Sequence, residues 1–109
     1  MMNIDGLRIH VAASFFQRLT GLLGRRALAP DEGLLLTPCS NIHTAFMRFP
    51  IDAVFLDREG TVMAVFHDVR PWRAAAFWKA HACLELASGT AAALQLRPGV
   101  RLPRAVEAA

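Results

Sequence analysis

At 109 residues, 54% of them hydrophobic, the chain has material for one domain around one core, and no apolar run reaches the ~18 residues of a membrane-crossing helix. Its net charge of +3 sets eleven arginines and one lysine against nine acids. The arginines are scattered from Arg8 to Arg104 without a basic run or interleaved aromatics, which argues against a nucleic-acid partner.

Leu7 to Ala12 alternate apolar and polar, as a half-buried strand does. The period then becomes helical. Phe15, Phe16, Leu19, Leu22 and Leu23 follow Ser14 as a cap, and Gly24 closes a helix predicted over Phe15 to Leu23. Arg25, Arg26 and the stretch Ala29 to Gly33 form a loop, since Pro and Gly bracket acidic residues there. Gly33 to Thr37 is a short apolar run ended by Pro38, which suits a buried strand. Two further strands are predicted at Ile42 to Phe46 and Ile51 to Asp57, split by Arg48, Phe49 and Pro50. Proline can start a strand but gives no donor to its interior.

Ala53 to Asp57 and Thr61 to Phe66 read as a hairpin around Arg58, Glu59 and Gly60, with Gly where a positive φ is wanted. Both arms are apolar on two faces, which predicts central strands. A breaker-rich segment follows through Asp68 to Arg73, and Ala74 to Lys79 reads as a surface loop or one helical turn. His81 to Ala87 is a strand, Ser88 and Gly89 turn, and Thr90 caps a short helix running to about Leu94. Pro98 and Gly99 turn into Val100 to Leu102, and the tail 103–109 is expected to be mobile. The expectation is a mainly β (α+β) single domain over residues 1–109, with its core at about 7–102. It is a compact, mostly antiparallel β sandwich or partial barrel of six to seven short strands with two short helices. Residues 1–6 show no secretory signal, so the chain is expected to be cytoplasmic.

Four sequence blocks, FQRLTGLLGRRAL, EGLLL, FMRFPIDAVFLDREGTV and CLELASGTAAALQLRPGV, occur in that order and together resemble the bacterial and archaeal family called domain of unknown function 192. The resemblance covers about Leu7 to Leu102. It rests on Arg18 to Arg25, the triplet Phe46, Met47 and Arg48, the step Ile51 and Asp52, and the run Leu84, Glu85, Leu86 and Gly89. The family commonly shows Trp and then Lys-Asn-Thr around the triplet. Here Phe46 and Arg48-Phe49-Pro50 stand instead, so no role needing an amide or hydroxyl at Phe49 or Pro50 carries over. The resemblance implies a small β-rich domain, found in some members behind a signal peptide or anchor, and brings no activity with it.

Chemistry concentrates in residues 39–57. Arg48 lies four residues before Asp52, a spacing that suits an ion pair, an Asp-to-backbone bond or an anion pocket. Such a pocket gathers Arg48 with Arg18 and Arg25, which are close to two helical turns apart. Cys39 with His43, His81 with Cys83, and His67 match no zinc spacing, so no metal and no cofactor are expected. The two cysteines are too few for a disulfide scaffold. A hydrolase using Cys39, His43 and His81, oriented by Asp52 or Glu85, is the enzymatic alternative. Cys39 follows a proline at a strand end, and nothing in the sequence activates it. Carboxylate pairs such as Asp52 with Asp57 or Asp68 with Glu85 are too ordinary to count. Trp72, Phe77 and Trp78 either line a groove or lid the core, and the lid is favoured.

These residues point to a non-enzymatic binding or accessory domain for a small anionic ligand or acidic peptide. Arg18, Arg25, His43, Met47, Arg48 and Asp52 line its cleft, and Trp72 stands at the rim. A structural partner of an envelope or pilus-type assembly is a further alternative, suggested by the exported relatives.

Overall fold

The computed structural model describes residues 7–12, 28–45 and 47–102. Three apolar runs decide its centre. β2 (Glu32–Leu36), β4 (Ile51–Leu56) and β7 (Ala82–Ala87) are buried on both faces over nearly every residue, because a core layer covers each side of their sheet. With β1 (Arg8–Ala12) and β5 (Val62–Val69) they form one sheet in the order β1-β2-β7-β4-β5. The β1–β2 pair is parallel and the other pairs are antiparallel. β3 (Asn41–His43) and β6 (Ala74–Ala76) make a second, two-stranded antiparallel sheet. The protein is therefore mainly β. The large sheet ends at β1 and β5 and does not close into a barrel.

The period-two alternation of side chains splits the core in two. Leu34, Leu36, Ile51, Ala53, Phe55 and Cys83 pack on one face beneath Ile42 and Ala75 of the small sheet, with Met47 and Phe49 from the connecting segment. Leu35, Val54, Leu56, Leu84 and Leu86 pack on the other face beneath Ala91, Leu96 and Leu102. α1 (Thr90–Ala93) belongs to this second layer.

The β4–β5 hairpin forms as expected. Gly60 takes φ 81° and donates to the Asp57 carbonyl, while Asp57 Oδ1 accepts from the Glu59 and Thr61 N–H groups, both at 2.9 Å. Several expectations are corrected. β5 is an edge strand, not a central one, and exposes Phe66, His67 and Asp68. Residues 74–76 form a strand, neither loop nor helical turn. The strand predicted to reach Phe46 stops at His43, because Thr44 is tied to another segment, and Phe46 itself lies outside the described residues. Thr90 does not cap α1: the cap position is Gly89 at φ 92°, and no side chain of that position serves. α1 is the one helix among the described residues, and the helix expected at 15–23 and the tail 103–109 lie outside them.

Candidate functional site

Asp52 carries the first answer about the polar stretch. Its side chain is 0% exposed, on the face of β4 turned toward α1. Oδ1 accepts from the Asp68 N–H at 2.9 Å, and Oδ2 accepts from the Gly89 and Ala91 N–H groups at 3.0 and 2.9 Å. A carboxylate with three backbone donors needs no cation, and it serves both the helix start that lacks its own cap and the end of β5. Of the roles its spacing left open, the Asp-to-backbone bond is the one formed. Among the described residues no ion pair joins it to Arg48, which is exposed. Met47 is likewise no lining residue. Its N–H donates to the Thr44 carbonyl at 3.1 Å, in a turn that buries the side chain in the first core layer.

Thr44 is the second buried polar anchor, and it assembles a surface. Its hydroxyl donates to the Arg70 carbonyl at 2.5 Å and accepts from the Arg73 N–H at 2.9 Å. Its own N–H donates to the Arg73 carbonyl at 2.8 Å, and its carbonyl accepts from the Trp72 N–H at 3.1 Å. The segments 43–48 and 70–73 are thereby held together. His43, Arg48, Arg70, Trp72 and Arg73 are all exposed. Trp72 is held at φ 63°, a left-handed conformation that costs a bulky residue roughly 1–3 kcal/mol and survives only where surrounding bonds impose it. Its side chain is 60% exposed.

The charges here are unbalanced. Among the described residues the acid at this end is Asp68, 3.6 Å from Arg70 Nε and also bonded by the Ser88 hydroxyl at 2.8 Å. Arg73 Nη1 donates to the Trp72 carbonyl at 3.2 Å. The wide spacing of arginines along the sequence, the basis for expecting no nucleic-acid partner, is not their spacing in space: the Thr44 bonds hold the backbone of Arg70 and Arg73 against the turn that leads to Arg48.

The tryptophans do not lid the core. Trp78 is 81% exposed, with Lys79 Nζ 5.1 Å from its ring centroid. Alternation along β6 turns Ala75 inward and Ala74 and Ala76 outward. Phe77 then packs on the first core layer, and Trp78 faces out. Sequence reasoning missed Arg70, Arg73 and Thr44. The first two flank Pro71-Trp72, a turn signal that could have marked them as displayed. Thr44 acts across 26 and 29 residues, a reach that carries no local signature.

The Cys39 thiol and the His81 imidazole have structural partners. Cys39 and Cys83 are buried, and the Cys39 thiol donates to the Asn41 carbonyl at 3.0 Å. His81 Nε2 lies 3.4 Å from the Thr37 hydroxyl. Asp52, one of the two carboxylates considered for orienting a catalytic imidazole, is engaged by three backbone N–H groups instead. Among the described residues no three His, Cys, Asp or Glu side chains converge as metal ligands. Arg18 and Arg25 lie outside the described residues.

Comparison with known proteins follows the same outline. The family model for domain of unknown function 192, described as an uncharacterised ACR, matches residues 2–103. A crystal structure from Sinorhizobium meliloti, described with a proposed role as a transcription regulator, superposes with TM-score 0.79 at 27% identity, over 87% of this chain and 79% of that one. A protein of unknown function from Novosphingobium aromaticivorans superposes with TM-score 0.73 at 26% identity, over 85% of this chain and 71% of that one. No curated protein matches the chain. No helix among the described residues is long and apolar enough to cross a membrane.

Proposed function

We propose that this chain, which belongs to the domain of unknown function 192 family, is a non-enzymatic binding domain. Its arginine end takes an anion: the carboxylate or phosphate of a small molecule, or an acidic peptide. The observation that carries this reading is the Thr44 clamp, which binds the backbone of Arg70 and Arg73 to the turn that leads to Arg48, beside the strained, exposed Trp72, while Asp68 is the acid paired with Arg70. Guanidinium groups suit carboxylate and phosphate because their planar donor forks match two oxygens at once. His43 completes the rim. Met47 packs in the core layer beneath it, and Arg18 and Arg25 remain candidates to join it.

Isothermal titration with citrate and with inorganic phosphate tests this. The double variant Arg48→Ala/Arg73→Ala is expected to bind at least about tenfold more weakly, by loss of two charge-assisted contacts, and to melt at an unchanged temperature. Equal affinity in the two proteins would overturn the reading. Duplex DNA belongs in the same titration, since one structural neighbour is described with a proposed regulatory role. Tight, salt-dependent binding of DNA alone would replace the small anion with a nucleic acid.

A further inference from the structure

Among the described residues, strand β6 is paired on one side only. In an antiparallel ladder, opposed residues alternate between pairs that exchange hydrogen bonds and pairs whose N–H and C=O groups point away from the partner. Thr44 N–H donates to the Arg73 carbonyl and Phe77 N–H to the Ser40 carbonyl, both at 2.8 Å. That fixes the bonded pairs as 40 with 77, 42 with 75 and 44 with 73, given the register Asn41 to Ala76, Ile42 to Ala75 and His43 to Ala74. Ala74 and Ala76 therefore direct both their N–H and both their C=O groups outward from β3. Among the described residues nothing bonds to them, and both residues are exposed.

Natural sheets guard such edges with lysine, proline, bulges or a covering segment. β6 has three alanines. Exposed Trp72 and Trp78 stand at its two ends, six residues or about 20 Å of extended chain apart. Cations stand at both ends as well: Arg70 and Arg73 flank Trp72 in the chain, and Lys79 Nζ lies 5.1 Å from the Trp78 ring centroid. An extended peptide laid along this edge makes main-chain bonds to Ala74 and Ala76, and the flat alanine side chains leave room for its own.

We propose that β6 receives an extended, acidic peptide segment of a partner protein as an added strand, with the peptide's carboxylates on the arginines and Lys79. This rests on the anion-binding reading and deepens it. Charge complementarity selects the occupant. A second copy of this chain pairing edge to edge brings cationic ends together in either strand direction, and like charges across a pair are unfavourable.

The test is fluorescence titration of the two tryptophans with hexaglutamate and with the same peptide N-methylated at its backbone amides. N-methylation keeps every charge and removes the ladder donors. The expected result is binding of hexaglutamate, with at least about tenfold weaker binding of the methylated peptide. The variant Ala76→Pro is expected to show the same loss, since it deletes an outward N–H and leaves the β3 ladder intact. Equal binding of both peptides overturns the added strand and leaves the arginine site standing, as does binding of citrate without hexaglutamate. Failure of citrate, phosphate and hexaglutamate together removes both readings. Sedimentation showing a dimer that Ala76→Pro dissociates overturns the acidic peptide in favour of self-pairing. If Ala76→Pro fails to fold, the methylated peptide on the unaltered protein still decides.

Discussion

Strand β4 hydrogen-bonds along both edges and buries all six of its residues, while β6 hydrogen-bonds along one edge and buries one residue of three. The two strands lie in stacked layers of one small domain, yet they do opposite things with the same backbone groups. β4 pairs along both edges to hold the fold. β6 leaves four outward groups to solvent beside exposed cations and exposed indoles. Stability is thus concentrated in the large sheet, and capacity for a partner in the small one. Asp52 and Thr44 repeat the contrast: each is a buried polar side chain satisfied by backbone, but the first locks core elements together and the second presents a surface.

Substitutions should separate the two regions. Phe55, fully buried and edge-on to Phe66 with centroids 5.6 Å apart, should have the largest effect. Phe55→Ala is expected to cost about 3–5 kcal/mol in chemical denaturation, a large part of a small domain's stability. Asp52→Asn keeps the shape but turns an amide NH2 toward at least one backbone donor, and is expected to cost about 2–4 kcal/mol. It should leave anion affinity per folded molecule unchanged, because Asp52 faces no ligand.

Thr44→Val should cost less, about 1–2 kcal/mol, through the lost bonds at Arg70 and Arg73. Unlike the other two, it should also weaken citrate binding, since it releases the turn that displays the arginines. Loss of stability without loss of affinity would break the claim that Thr44 shapes the site. The smallest effect belongs to the exposed pair Arg8–Asp31 at 3.0 Å, far from the core. The hydrogen bond from Arg8 holds the Asp31 carboxyl below its ordinary range. A depressed carboxyl contributes stability above its unfolded pKa and loses it as pH falls through the folded value. Melting temperature should therefore dip slightly more for the parent protein than for Asp31→Asn below about pH 4, and high salt should erase the difference.

Features that depend on neighbours in sequence were legible beforehand. The turn around Gly60, the apolar runs of β2, β4 and β7, and Pro50 just before a strand all follow from local rules. β5 was misplaced because TVMAVF is apolar on both faces, and nothing local says that no strand lies beyond it. β6 was invisible because alanine carries no strand preference and its pattern has no polar alternation. The Asp52 bonds reach 16, 37 and 39 residues away, and no spacing rule foresees them. For the site, the sequence singled out His43, Arg48 and Trp72, all three of which are exposed. It included Asp52 and Met47 because they lie beside Arg48 in the chain, although the pleat and the Thr44 turn send them inward.

Amide hydrogen exchange followed by NMR tests the central contrast most directly. The account predicts that the Ala74 and Ala76 amides exchange freely in the isolated protein and become protected on addition of hexaglutamate, while the amides of β4 stay protected throughout. Slow exchange at Ala74 and Ala76 before any peptide is added, or no change after saturation with it, would contradict an open edge that receives a partner.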